Sequence, residues 1–468
     1  MIEKLRPFAT LFLLLAFVAP AVAQEDTDRH EQLSDPVVDA AQDPTETPLP
    51  SDGLVSAIDD PWLKAFVEEV LERNPRVARA QAVAEAAGQR APQVSALPDP
   101  MVGLTLFLLP PQTRVGPQQV AVGVSQRFPW FGKLNLREQA ALLDAAAASA
   151  LVEAIRLELI TEAKRIYFDL SFLDDQQRII GEDRATLQHY EQLAQARYAS
   201  GVGLGQAVIK IQAEITRADT RLLEIDVRRE TLIASANALR DLPARSLVLV
   251  GPLPAASPLE DKIENLRIVA LSHRPELVAA DLRIESAATR IELAKKDYKP
   301  DFTVGLNYGF VGQRSDAAGE AFPPEGNGDD NLSLSGAINL PIWRKKLAAG
   351  VEERIQRRLV ADEEKRALVA QIESGIGDQS SRLPLLYDQL RLYDNVLTVQ
   401  AEHSLLSAES AYAAGTLSSL DLLDAERVLL NVRIAAARVR ADYAIAIARL
   451  EGEIAAPLTN LPREEEDR

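Results

Sequence analysis

Between Leu134 and Ser200 the chain runs for 67 residues with no proline and a single glycine, Gly181. The strongest helix breaker is absent and good helix formers dominate, so the stretch reads as one helix. At 1.5 Å per residue it reaches ~100 Å, too long for a globular domain. Apolar or small residues return every seven positions, at Val152, Leu159, Ile166, Leu173, Ile180, Leu187 and Ala194, the column of a coiled coil. A second long segment is expected at about 344–414, bent by Gly375, Gly377 and Pro384. Shorter returning helices are expected at about 205–241 and 418–455. The last carries its own column of Leu422, Leu429, Ala436, Tyr443 and Leu450. Helices of about 36 residues are expected at 61–96 and 261–297. One returning helix plus one of these matches the length of one long helix. Two short helices stacked end to end can therefore run beside each long one.

The body is a duplication. Pro98-Asp99-x-x-Val102-Gly103-Leu104 recurs as Pro300-Asp301-x-x-Val304-Gly305-Leu306. Asn74-Pro75 is echoed by Arg274-Pro275, Phe128-Pro129-Trp130 by Leu340-Pro341-Ile342-Trp343, and Tyr198-Ala199-Ser200-Gly201 by Tyr412-Ala413-Ala414-Gly415. All four landmarks keep their order. The repeats are expected at 61–240 and 261–455, joined by a proline-rich linker at 241–260 and followed by a charged tail at 456–468. Each half reads helix, strand, loop, strand, very long helix, tight turn, helix.

The strands, at about 98–108, 118–128, 300–310 and 331–341, alternate apolar with small or polar residues. Phe302, Val304, Leu306, Tyr308 and Phe310 share one face; Thr303, Gly305, Asn307 and Gly309 share the other. Such a strand covers a core or faces lipid on one side and water on the other. Three features favour lipid. The strands have the length a tilted membrane strand needs. The aromatics Phe128, Trp130, Phe131, Tyr298 and Trp343 gather at one end as an interfacial girdle. The basic residues Lys133, Lys299, Arg344, Lys345 and Lys346 follow them. Four strands cannot close a barrel, and an open edge cannot sit in lipid. Several chains must share one barrel: three copies would supply twelve strands and two would supply eight.

Composition narrows the rest. Residues 1–23 read as a secretory signal, with a basic start, an apolar run and an Ala21-Val22-Ala23 cleavage site. Residues 24–60 read as a disordered acidic leader, with eleven Asp and Glu against one Arg. The leader thus carries much of the net charge of -18, and the acidity argues against nucleic-acid binding. There is no cysteine, so no disulfide, thiolate metal site or lipidated Cys is expected. His30, His189, His273 and His403 lack ligand spacing, and neither a phosphate-binding loop nor a nucleophile elbow occurs. No metal site, no cofactor and no enzymatic activity are expected.

The ordered set of landmarks resembles the outer-membrane efflux protein family, the TolC-like channels, over about residues 60–455. Its carriers are the signal, the duplicated layout and two tip sequences, Tyr198 to Leu204 and Tyr412 to Ala425. Gln126-Arg127-Phe128-Pro129-Trp130-Phe131-Gly132-Lys133 is similar to the branch serving heavy-metal efflux. The resemblance implies a mainly α fold with a membrane β-barrel: a homotrimer sharing twelve strands in the outer membrane of a Gram-negative bacterium, continued by a periplasmic helical tunnel. It implies a periplasmic adaptor (a membrane fusion protein) and an inner-membrane pump of the RND type as partners. By the same resemblance Asp421, Asp424 and Tyr412 form the tunnel-entrance gate. Tyr198, Gly201, Val202, Gly203, Leu204, Gly415, Thr416 and Leu417 form the adaptor-facing tips. The chain departs from the family where an acid often follows the first tip, here Gly205-Gln206-Ala207, and where a basic residue often follows the second, here Leu417. Ser418-x-x-Asp421 is also a helix-capping spacing, and the glycines also permit the turns. The competing class is a periplasmic coiled-coil adaptor or scaffold. The same channel serving drug efflux or type I protein secretion is the other alternative.

Overall fold

The computed structural model describes residues 49–259 and 262–458. The expected signal, the leader up to residue 48 and the tail from residue 459 lie outside the described residues.

The end of the expected leader is not disordered. α1 (Pro50–Ser56) buries Leu54, donates Ser51 Oγ to Glu153 at 2.7 Å and pairs Asp52 with Arg156 at 3.0 Å. A few apolar residues and a proline start suffice because a long neighbouring helix supplies the surface they cover. Likewise Ala456 and Leu458, at the start of the expected charged tail, pack against the body.

The helices expected at 61–96 and 261–297 are interrupted. The first is α2 (Pro61–Arg73), α3 (Pro75–Gly88) and α4 (Arg90–Ser95). Its counterpart is α7 (Ile263–His273) and α8 (Pro275–Lys296). The breaks at Asn74 and Arg274 each fall on the residue before a proline, which the proline ring drives out of the helical region; ψ is 123° at Asn74 and 119° at Arg274, whereas Gln89, between α3 and α4, keeps helical angles and precedes Arg90.

α5 (Lys133–Ala199) is one helix of 67 residues. Of its heptad column every member from Leu159 to Ala194 is buried. It packs against α3, α6 (Gly205–Leu239), α8 and α12 (Ser419–Ile454), so both repeats lean on it. α10 (Arg344–Leu392) continues as helix through Gly375, Gly377 and Pro384. A π turn at Tyr393–Leu397 follows it, before α11 (Thr398–Ala413).

The short helices do stack. Asn74 accepts from Arg76 N at 2.9 Å, capping α3, while its Nδ2 donates to Leu239 O at the end of α6, 2.8 Å away. In the second repeat Arg274 donates to Glu453 O at 3.2 Å, at the end of α12.

The strands are β1 (Met101–Leu106), β2 (Gln112–Thr113), β3 (Gly116–Phe128), β4 (Phe302–Val311) and β5 (Asn331–Ile338). A five-residue helix, α9 (Ala317–Ala321), lies in the loop between β4 and β5. The sheet runs β1-β3-β4-β5, antiparallel throughout, with β2 folded onto β3. β1 and β5 are its open edges. Among the described residues no helix is long and apolar enough to cross a membrane.

Candidate functional site

The register of the sheet turns the alternation of each strand into two continuous faces. Val102, Val124, Leu306 and Leu334 form one row across all four strands, and Leu104, Val122, Tyr308 and Leu332 the next. Nothing among the described residues covers this face: Leu104 is 65% and Leu334 77% exposed. So large a contiguous apolar surface marks contact with another apolar phase. The opposite face carries Thr105, Ser125, Asn307, Asn331, Ser333 and Ser335. Two glycines make room for it. A Cβ at Gly123 would stand 2.3 Å from Asn307 Oδ1, and one at Gly309 the same distance from Asn331 Oδ1. Asn307 Nδ2 in turn donates to Ser335 Oγ at 3.1 Å.

At the helix end of the sheet stand the five aromatic residues read as a girdle. Phe131 and Trp343 are largely exposed and Phe128 partly so. Trp130 stacks on Phe302 with centroids 5.5 Å apart, and Arg344 lies over the Tyr298 ring at 5.5 Å. The basic band is not uniform. Lys133 is buried, 2.9 Å from Asp301 and 3.4 Å from Asp297. Asp301 also accepts from Arg127 at 2.6 Å and from Trp130 N at 3.0 Å. A carboxylate drawing three donors from the end of β3 and the start of α5 fixes where the sheet meets the helices. Its counterpart Asp99 is exposed.

At the other end of α5 lie the two tips. Gly201, at φ +75°, ends the first helix, and Val202 N and Gly203 N both donate to Arg197 O, at 3.1 and 2.9 Å. Gly415, at φ +82°, does the same for the second, with Thr416 N and Leu417 N on Ala411 O at 3.0 and 3.3 Å. Tyr198, Val202 and Leu204 are exposed, Thr416 is exposed, and Leu417 and Gly203 are half-buried. Asp421 and Asp424 are both exposed on the first turns of α12. Asp421 accepts from Ser418 Oγ at 2.6 Å, and Ser418 Oγ caps Asp421 N at 3.3 Å; Asp424 meets Arg427 at 3.3 Å. Tyr412 is buried. Arg197 from the first tip stacks over its ring at 4.9 Å and donates to its carbonyl. Arg197, on which no sequence motif falls, thus ties the two tips together.

The second feature missed in sequence lies behind the tips. Asp183 of α5 and Glu426 of α12 are both buried, beside the apolar cluster of Leu187, Ile211, Leu405 and Leu429. Glu426 Oε2 accepts no hydrogen bond. The acid group facing it is Asp183, and two carboxyls bond only when one holds a proton. Burial, then the bond to Asp183 and the charges of Asp183 and Glu409, push Glu426 up to about 8 against the opposing Arg433. Burial raises Asp183 as well. Tyr190 donates to Glu409 alongside, while Glu214 of α6 is held by Arg217 and Arg427. Among the described residues no three His, Asp or Glu side chains converge as a metal site.

An open four-stranded sheet with one apolar face, continued by helices far longer than a globular core needs, defines the class by its fold, a sheet with a membrane-type apolar face carried on long paired helices. A family model described as outer membrane efflux protein matches residues 66–242 and 266–454, and the chain belongs to that family. It is 28% identical over 323 residues to the toluene efflux pump outer membrane protein TtgF of Pseudomonas putida, covering 66% of this chain and 63% of that protein. It is 27% identical over 327 residues to the probable outer membrane lipoprotein SilC of Salmonella typhimurium, covering 65% of each. These matches span a little under two thirds of the relatives' own length. The solved structure of the outer membrane protein VceC of Vibrio cholerae superposes with a TM-score of 0.71 at 22% identity, over 88% of this chain and 100% of that one. The fold is therefore that of the outer-membrane channels.

Proposed function

We propose that the chain is the outer-membrane channel of a tripartite efflux system. Three copies share a twelve-stranded barrel, and their helices form a periplasmic tunnel that meets an adaptor and an RND-type inner-membrane pump. The observation that carries this reading is the sheet, with an exposed apolar face, a polar face and two open edges. An open edge is untenable in lipid, and further copies of the same sheet close it. Exposed apolar side chains on the helical body, Leu223 and Val227 on α6 and Leu385 and Leu392 on α10, support lateral packing of copies along the tunnel.

In this reading Asp421 and Asp424 of three copies face one axis and attract cations. Tyr412, pinned by Arg197, holds the entrance in one state. The exposed Tyr198, Val202 and Leu204, with the turn residues Gly201, Gly203, Gly415, Thr416 and Leu417, meet the adaptor. The protein performs no catalysis, and the pump supplies the energy. Residues 1–23 export the chain, and the barrel rather than a lipid anchor retains it.

The cargo reading moves. Arg127, Trp130 and Lys133, within the stretch similar to the heavy-metal branch, engage Asp301, so that stretch has a structural reason of its own. The relative named for toluene efflux supports an organic cargo instead. Deleting the gene and comparing solvent, drug and metal sensitivity separates the two.

The test of the channel itself is reconstitution. Detergent-extracted protein should migrate as a heat-dissociable trimer and give cation-preferring conductance in planar bilayers. Asp421→Asn and Asp424→Asn should weaken block by multivalent cations. A protein that partitions into the aqueous phase and never conducts would sink the proposal.

A further inference from the structure

The duplication supplies more than a count of strands. Within the chain, β3 of the first repeat pairs with β4 of the second, and Asp301 just before β4 closes onto Arg127, Trp130 N and Lys133. The equivalent of β4 in the first repeat is β1, introduced by Asp99. The equivalent of β3 in the second repeat is β5, followed by Leu340-Pro341 and the start of α10. Both belong to the open edges. Asp99 is exposed and its side chain has no hydrogen bond or ion pair among the described residues, and the same holds for the side chains of Lys345 and Lys346. On its β3 side the Asp99 segment is already tied, Gln126 Nε2 donating to Pro98 O at 2.7 Å. Only its outward side lacks donors.

We propose that β5 of one copy pairs with β1 of the next in the register of β3 and β4, so that Asp99 of each copy closes onto the basic start of α10 of its neighbour. The partner is a second copy of this chain, and the proposal rests on the shared-barrel reading above. Three arguments fit together. First, β5 and β1 run in opposite directions in the sheet, so juxtaposing the edges of two copies continues the antiparallel order. Second, carrying over the β3–β4 register sets Ile338 opposite Val102 and Ser335 opposite Thr105 of the neighbour, which keeps the apolar row on the apolar face and the polar row on the polar face. A slip of one residue would reverse every side chain. Third, charge is complementary: an unpaired carboxylate on one edge meets Arg344, Lys345 and Lys346 on the other. The clasp between copies then repeats the Asp301–Lys133 pair through Lys345, with Asn339 standing where Arg127 stands, and each copy contributes half of it.

The chain has no cysteine, so engineered thiols report without background. Directly opposed residues on neighbouring strands bring their Cβ atoms to about 4.5–5.5 Å, close to disulfide range. Oxidising the Thr105→Cys, Ser335→Cys double variant in detergent-extracted trimer should convert the boiled monomer into covalent dimer and trimer. Reduction should reverse this, and neither single variant should give it. Separately, Asp99→Asn should lower the temperature at which the trimer dissociates, while Asp99→Glu should retain it. A trimer that fails to crosslink overturns the register and with it the clasp. A trimer whose dissociation is unmoved by Asp99→Asn overturns the clasp. Both leave the channel reading standing. A native protein that is monomeric in every extract overturns the clasp and the channel together.

Discussion

The two repeats place the same junctions at the same points and hold them with different chemistry. Where α6 meets α3, the neutral amide of Asn74 caps one helix and donates to the last turn of the other. Where α12 meets α8, Arg274 bridges Glu276 and Glu453 at 2.7 Å each and reaches the Glu453 carbonyl. At the membrane end, Asp301 is engaged by three donors while Asp99 is open to solvent. Duplication has kept the backbone break before each proline, which sterics enforce. It has not kept the side chains that satisfy the exposed helix ends, because any donor of the right reach suffices. The two copies of each junction are therefore internal controls for one another.

The sharpest way to break the comparison is at Asp301. Asp301→Ala leaves Lys133, which has 5% of its side chain exposed, with only the half-exposed Asp297 at 3.4 Å as an ion partner. The expected loss is about 3 kcal/mol, the lower end for a broken buried pair, read as a fall in the unfolding temperature of the detergent-solubilised protein. A Lys133→Met change in the same background should recover much of it, since no charge is then left buried. If Asp301→Ala costs no more than Asp99→Ala does in a dissociated chain, the asymmetry between the two repeats is not energetic.

The helix junctions should differ in kind more than in size. Arg274→Ala removes charged hydrogen bonds and is expected to cost about 2 kcal/mol, less at high salt because Glu453 is partly exposed. Asn74→Ala is expected to cost about 1 kcal/mol with no salt dependence. Unfolding of both variants at low and high salt checks this. Equal salt dependence would erase the distinction between a neutral and an ionic junction.

Much of the fold was legible because it is periodic. The column from Leu159 to Ala194 and the column from Leu422 to Leu450 are buried as seven-residue spacing demands. The strand faces follow directly from alternation, since register only multiplies what each strand already shows. The breaks at Asn74 and Arg274 were readable from the prolines that follow them. They were overridden by the length of the apolar pattern. Order at α1 was hidden because it is borrowed: Ser51, Asp52 and Leu54 are held by α5, about a hundred positions away. The tip residues Asp421, Asp424 and Tyr412 were found through resemblance. Arg197 and Asp301 were not singled out, because a pairing across some 170 to 215 positions leaves no local trace. Asp183 and Glu426 did leave one. Asp183 stands between Ile180 and Leu187 and Glu426 between Leu422 and Leu429, charged residues set within apolar columns.

That pair also joins α5 of the first repeat to α12 of the second, and its effect is read against pH. Glu426 sits in the folded chain at about 8, above its unfolded value of about 4.3. The folded state therefore holds the extra proton, and stability from this group is full below about pH 4.3. It falls as the pH rises through the interval and levels off beyond the folded value. Water reaching a loosened carboxylate relieves part of the strain, so the decline should be gentler than burial alone would give. Wild-type protein should lose thermal stability steadily from acid to mildly alkaline buffer, and Glu426→Gln should flatten the slope. Asp183→Asn should flatten it too, since it removes the partner charge. A slope that survives both substitutions would place the titrating group elsewhere and leave the contact between the repeats insensitive to protons.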